Sequence, residues 1–247
     1  MAQVQPKIRL FVEAALGPGT AVLLAREQAH YLFNVMRRSP GDPLLVFNGR
    51  DGEWLAEVAE SGRSGGRLTC REQTRAQAAP PDLWLLFAPI KKARTDFVAE
   101  KAAEMGCRRL VPVFTRLTNS ERVRTDRLRA HAVEAAEQCG LLAVPEVVEP
   151  VKLGLLLDDW GPERRLLFCD ESGRAPPARE VLAAAGGQGE PWTVLIGPEG
   201  GFAPEEAERL RALPFAHAAS LGPRVLRADT AAVAALALWQ ATLGDWR

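Results

Sequence analysis

Two patterns of apolar spacing divide this chain. From residue 8 to residue 70 the apolar positions come in short runs, IRLFV (8–12), AVLL (21–24), PLLVFNG (43–49), EWLAEV (53–58) and GRLTC (66–70). Turn residues separate them, among them Asn48-Gly49 and Asp51-Gly52. Runs repeating every ~8–12 residues predict a small β barrel or sandwich. One helical patch, Gln28–Arg38, interrupts them.

Beyond residue 81 the pattern changes to alternation. Strand-like runs at 83–88, 110–114, 165–169, 193–196 and 217–221 alternate with helical segments. Phe97, Val98, Ala102 and Met105 keep helical spacing up to Gly106, and Leu128, Ala132, Ala135, Ala136 and Cys139 do so up to Gly140. Pro204 with Glu205 and Glu206 reads as a helical first turn. Asp229 or Thr230 is the expected cap of a last helix ending at Gly244. Strand–helix alternation predicts a mostly parallel sheet. Between the two regions lies Ala76-Gln77-Ala78-Ala79-Pro80-Pro81, whose tandem prolines suit a short stiff linker. The expected domains are therefore 1–76, rich in β, and 77–247, of α/β class.

Composition narrows the function classes. No apolar run approaches the ~20 residues a membrane helix needs, and the N-terminus lacks the apolar stretch and cleavage site of a signal peptide. The cysteines at 70, 107, 139 and 169 form no C-x-x-C pair, so a metal site is not expected and reduced thiols are. A soluble cytoplasmic protein fits these features. Net charge is zero, with 31 basic and 31 acidic residues in 247, but residues 1–130 hold 21 basic and 14 acidic side chains and the remainder reverses the balance. Of the basic residues 26 are arginine and five lysine. A GC-rich genome or a thermophilic source accounts for an arginine excess; neither accounts for its segregation along the chain.

The candidate chemistry sits in two loops. Thr193–Phe202, TVLIGPEGGF, runs from a buried-type strand through a glycine-rich turn into a helix, the position at which open α/β sheets bind ligands. It lacks the Gly-Lys-Ser/Thr of a phosphate loop and does not match G-x-G-x-x-G; alone it is equally a tight strand-to-helix turn. Ser220–Ala231, SLGPRVLRADTA, repeats the design after the next strand. Facing one another, such loops would make a pocket of main-chain groups and Leu/Ile side chains, better suited to an adenosyl group than to hydrolysis. His30, His131 and His217 are the only histidines, and His217 reads as a core residue.

Together these residues resemble a known family. Gly197-Pro-Glu-Gly-Gly201 with Leu221-Gly-Pro-Arg-Val-Leu-Arg-Ala-Asp-Thr-Ala231 is similar to the paired signature of SPOUT methyltransferases, and within them of the RsmE branch. Glu137-Gln-Cys-Gly140 with Val144-Pro145, and His30–Arg37 with Pro40-Gly-Asp42, extend the likeness to both domains. Leu141 stands where the family usually has Arg, and Met36 where Leu is common.

The resemblance implies a C-terminal α/β domain tied in a trefoil knot, an N-terminal PUA-like β barrel that grips RNA, and a homodimer. It implies S-adenosylmethionine as cofactor and, as reaction, methylation of N3 of uridine 1498 (usual ribosomal RNA numbering) in 16S RNA of the small subunit, without metal or membrane. Cofactor binding then falls to Ile196, Gly197, Glu199, Gly200, Leu221, Gly222, Leu226 and Ala231, with Ser172 on a third wall. Arg227 is the expected cation facing the developing uracil anion, or a partner of Asp229. Glu199 is a proton acceptor or cofactor contact, or a helix N-terminal charge. Arg9, His30, Arg37 and Arg38 in the barrel, and Lys91, Lys92 and Arg94, are the expected RNA contacts. Competing readings are a SPOUT enzyme acting on tRNA or 23S RNA, at a base or a ribose 2′-OH, and a non-catalytic RNA-binding assembly protein.

Overall fold

The structure is a computed structural model describing residues 6–62, 65–120 and 122–246. The chain forms two compact units, residues 1–79 with 136–144, and residues 80–135 with 145–247. Segment 136–144, expected in the second domain, thus clusters with the first.

The first unit is built on a five-stranded sheet, ordered β1-β3-β4-β5-β2. Its strands are β1 (Arg9–Phe11), β2 (Ala21–Leu24), β3 (Pro43–Phe47), β4 (Glu53–Ser61) and β5 (Gly66–Arg75). β1 pairs with β3 in parallel; the other pairings are antiparallel, and register shifts interrupt β4–β5. Such bulges bend strands and increase their twist. The inward residues Leu10, Val22, Leu24, Leu44, Val46, Ala56, Val58 and Leu68 form the core. The helical patch is α1 (Arg26–Ala29) continued by a π-helical turn at His30–Val35.

The second unit is a parallel sheet ordered β12-β10-β11-β6-β7-β8, with β9 also on β7. Its strands are β6 (Leu83–Phe87), β7 (Arg109–Phe114), β8 (Glu146–Val147), β9 (Val151–Lys152), β10 (Arg165–Cys169), β11 (Trp192–Ile196) and β12 (Ala216–Ala219). The central strands are apolar throughout because both faces are covered. Leu83, Leu85, Phe87, Leu167 and Val194 pack beneath α2 (Lys92–Glu104), α5 (Ala178–Ala185) and α7 (Ala228–Thr242). Leu86, Leu166, Phe168 and Leu195 face α4 (Leu153–Asp158) and α6 (Pro204–Ala212). α3 (Thr125–Cys139) contributes Leu128 to the first of these layers.

Gly106 and Gly140 take φ +73° and +81°, as left-handed helix ends require, and Pro204 opens α6. The expected cap of α7 is corrected. Arg227 holds the N-cap position with no side-chain cap, its carbonyl accepting from the Ala231 amide at 2.8 Å. Asp229 instead faces Arg94 of α2 at 3.6 Å. His217 is half-buried in β12, its ring 5.4 Å from that of Trp192, and burial lowers its pKa below the usual imidazole value.

Candidate active site

Three segments at the carboxyl ends of β10, β11 and β12 enclose an open cleft of about 150 Å³ in the second unit. Its walls are drawn from within residues 169–173, 196–201 and 220–231. The third wall is stitched to the chain just beyond the first, Ala178 N donating to Ser220 O (2.9 Å) and Ser220 N to Pro176 O (2.8 Å).

Glycine is required in the second wall for two reasons. A Cβ on Gly197 would lie 2.7 Å from the Phe202 ring, which packs edge-on against Phe168 with centroids 5.0 Å apart. Gly201 has φ +70°, and a Cβ there would meet Glu171 Oε1. Glu171 accepts a hydrogen bond from the Phe202 amide (3.2 Å), joining the first wall to the second. Asp170 is buried and takes both Nε and Nη2 of Arg211, at 2.9 and 2.8 Å, on one oxygen and the Ser172 amide on the other. Burial alone would raise its pKa; the Ser172 amide and the Arg211 guanidinium outweigh it and hold the carboxyl below its ordinary value.

Ile196, Gly197, Glu199, Leu221, Gly222, Leu226 and Ala231 all line this cleft. Three expected residues do not. Gly200 lies off the wall and faces Leu117, 3.7 Å from where a Cβ would stand. Ser172 is exposed, its amide directed at Asp170, while its neighbours Asp170, Glu171 and Gly173 line the cleft. Arg227 is exposed beside the third wall, and among the described residues it has no ion-pair partner, so the Asp229 pairing does not form. Glu171 was missed by sequence reasoning, although Cys169-Asp-Glu-Ser-Gly173 leaves a strand much as the other two loops do.

The wall chemistry fits S-adenosylmethionine. Leu221, Leu226, Ile196 and Ala231 offer apolar contact. Among the described residues, the main-chain groups of Leu221, Arg224, Val225 and Leu226 have no hydrogen-bond partner, which leaves them to a heterocycle. Glu171 and Glu199 give the cleft an acidic side suited to a cationic ligand. No group of three His, Cys, Asp or Glu able to hold a metal occurs among the described residues, and no helix there is long and apolar enough to cross a membrane.

The expected RNA contacts sort differently. Arg9 is corrected: it is internal to the first unit. Its guanidinium pairs with Glu53 at 2.7 Å, donates to the carbonyls of Ala136, Glu137 and Leu141, and lies 4.4 Å over the Phe47 ring. Since Leu141 enters this contact through its carbonyl, the side chain at that position is not what Arg9 reads. Arg94 is turned to Asp229. His30, Arg37, Lys91 and Lys92 are exposed. Arg37 holds φ +53°, a strained value for a non-glycine residue, directly after the π-helical turn, and Arg38 is half-buried.

Known proteins agree with this geometry. Residues 77–240 match the family model described as an RNA methyltransferase domain, and residues 24–68 that of an RNA methyltransferase PUA domain. Ribosomal RNA small subunit methyltransferase E of Synechocystis sp. is 30% identical, over 90% of this chain and 73% of its own. Its counterpart from Rickettsia conorii is 28% identical over 93% of each chain. The crystal structure of the Neisseria gonorrhoeae counterpart, bound to S-adenosylmethionine, is 25% identical and superposes with a TM-score of 0.86 over 97% of this chain and 99% of that one.

Proposed function

The chain belongs to the RNA methyltransferase family, in its RsmE branch, and from that premise we propose that it methylates N3 of one uridine, 1498, in 16S RNA of the small ribosomal subunit. The single observation that carries the reading is the cleft at the ends of β10, β11 and β12, lined by seven of the eight cofactor residues expected from the two loops. When bound there, S-adenosylmethionine supplies an activated methyl group on a sulfonium.

The rest of the chemistry falls to the chain. Uridine N3 carries a weakly acidic proton and becomes a good nucleophile only as that proton leaves. A cation held where negative charge develops is the most effective aid to such a step. Arg227, exposed and without an ion-pair partner among the described residues, stands at the head of α7, whose N-terminal dipole adds to its field. We assign it to the uracil oxygens. Glu199, exposed on the wall, is assigned to accept the N3 proton. The loops orient the base, a contribution worth several kcal/mol in reactions of this kind. A base read on its Watson–Crick edge must be unpaired or splayed out. The π-helical turn with His30 and Arg37, and Lys91 and Lys92 of the second unit, are assigned to RNA. The trefoil knot and a homodimer, in the cytoplasm, belong to the same reading.

The test is mass spectrometry of small-subunit RNA from cells lacking this chain. One N3-methyluridine is expected to disappear, to return with the wild-type chain, and not to return with Arg227→Ala. Loss of a ribose methylation, or of a methyl group in tRNA or 23S RNA, would overturn the assignment.

A further inference from the structure

A second cleft, of about 270 Å³, opens at the carboxyl ends of β6 and β7 in the same unit. Lys92, Arg122, Arg124 and Arg127 line it together with Thr95 and Asp96. The cations differ in how they are held. Arg127 is fixed by a bidentate contact to buried Asp96, at 2.9 and 2.6 Å, and Arg124 grips Asp126 at 2.5 Å. Among the described residues Lys92 and Arg122 have no ion-pair partner, and both are exposed. Two oriented guanidinium groups and two uncompensated charges around one concavity match an oxyanion ligand with several acceptor oxygens.

The position of this cleft identifies the ligand. It shares a sheet edge with the cofactor-type cleft: Ala88, just before it, donates to Ile196 O at 3.0 Å, and Arg94 ties α2 to the first turn of α7. From β10 to β7 is three strand spacings, about 14 Å. A few nucleotides of extended single strand cover that distance. We propose that this cleft is a phosphate site for the RNA strand next to the target uridine, gripping the backbone while the base enters the first cleft. This rests on the RNA methyltransferase reading above and adds to it a site and four residues, of which three lie outside the RNA contacts expected from the motifs.

The test uses the full chain with Lys92→Ala and Arg122→Ala, singly and together, leaving the Asp96 pair untouched. RNA affinity is measured by filter binding across a salt series, S-adenosylmethionine affinity by calorimetry, and folding by thermal melting. Each lost phosphate contact is expected to weaken RNA binding several-fold and to flatten the plot of log affinity against log salt by roughly 0.7–1. Cofactor affinity and melting temperature are expected to stay at the wild-type values. Arg179→Ala, which removes an exposed arginine of α5, serves as the charge control and is expected to leave the slope unchanged. An unchanged slope in the double variant, or an equal flattening by Arg179→Ala, would overturn the site. A wild-type chain that bound RNA with the full slope yet left uridine N3 unmethylated would instead count against the reaction and leave the site standing.

Discussion

Arg9 shows what a single residue's charge can conceal. In the sequence it is one of an excess of arginines; in the structure its guanidinium is a latch on which Glu53 and three carbonyls of residues 136–141 depend. Arg9→Ala leaves buried Glu53 with only the Thr74 hydroxyl and Arg75 at 3.8 Å, and three carbonyls unserved, so it is expected to destabilise the first unit by about 3 kcal/mol, read by denaturant unfolding. Arg9→Lys should rescue little, because one ammonium cannot satisfy those directions. Asp170 is likewise held by its charge. Its pKa is lower folded than unfolded, so it stabilises above the unfolded value near 3.8, and that stability is lost as pH falls through the folded value. Asp170→Asn is expected to cost roughly 1–3 kcal/mol at neutral pH and to flatten the acid limb of stability against pH. An Asn variant that kept the wild-type acid limb would remove Asp170 from the account.

At the scale of elements, the strand-to-helix loops matter most. Gly197→Ala places a methyl group against the Phe202 ring, so Phe202 must move or the wall must shift. Calorimetry is expected to show S-adenosylmethionine affinity down by at least tenfold with the melting temperature lowered by only a few degrees; undiminished affinity would mean that this wall does not shape the site. These loops were legible in the sequence because each needs glycine and proline at fixed places after an apolar run. The strands β6, β7, β10 and β11 of the parallel sheet were legible for a related reason, being apolar on both faces. β8 and β9, two residues each, carry too little pattern to be read. α5 is hidden by its length of eight residues, too short for its spacing to stand out, and a π-helical turn has no spacing of its own to announce it. The placement of residues 136–144 with the first unit was not legible either, since the Arg9 contacts that hold it join positions more than 120 residues apart.

For the whole molecule, the zero net charge is the least informative number. Counted by unit, the barrel unit has 10 basic and 9 acidic residues, and the surplus of cations instead lies between residues 91 and 130, with 11 basic and 5 acidic. The second unit as a whole is balanced, with 21 basic and 22 acidic residues, so its positive charge is local, carried by the segment that includes the loops after β6 and β7. Salt-dependent RNA affinity is therefore expected to be carried largely by residues 91–130. The central claim, that the cleft at β10–β12 directs a methyl group to N3 of one uridine, is tested most directly by transfer of labelled methyl from S-adenosylmethionine to small-subunit particles, mapped to the base. The expected result is a single labelled N3-methyluridine at position 1498, formed by the wild-type chain and reduced about 100-fold or more in rate by Arg227→Ala. Label on a ribose hydroxyl, on another base, or at an undiminished rate in the variant would contradict the account.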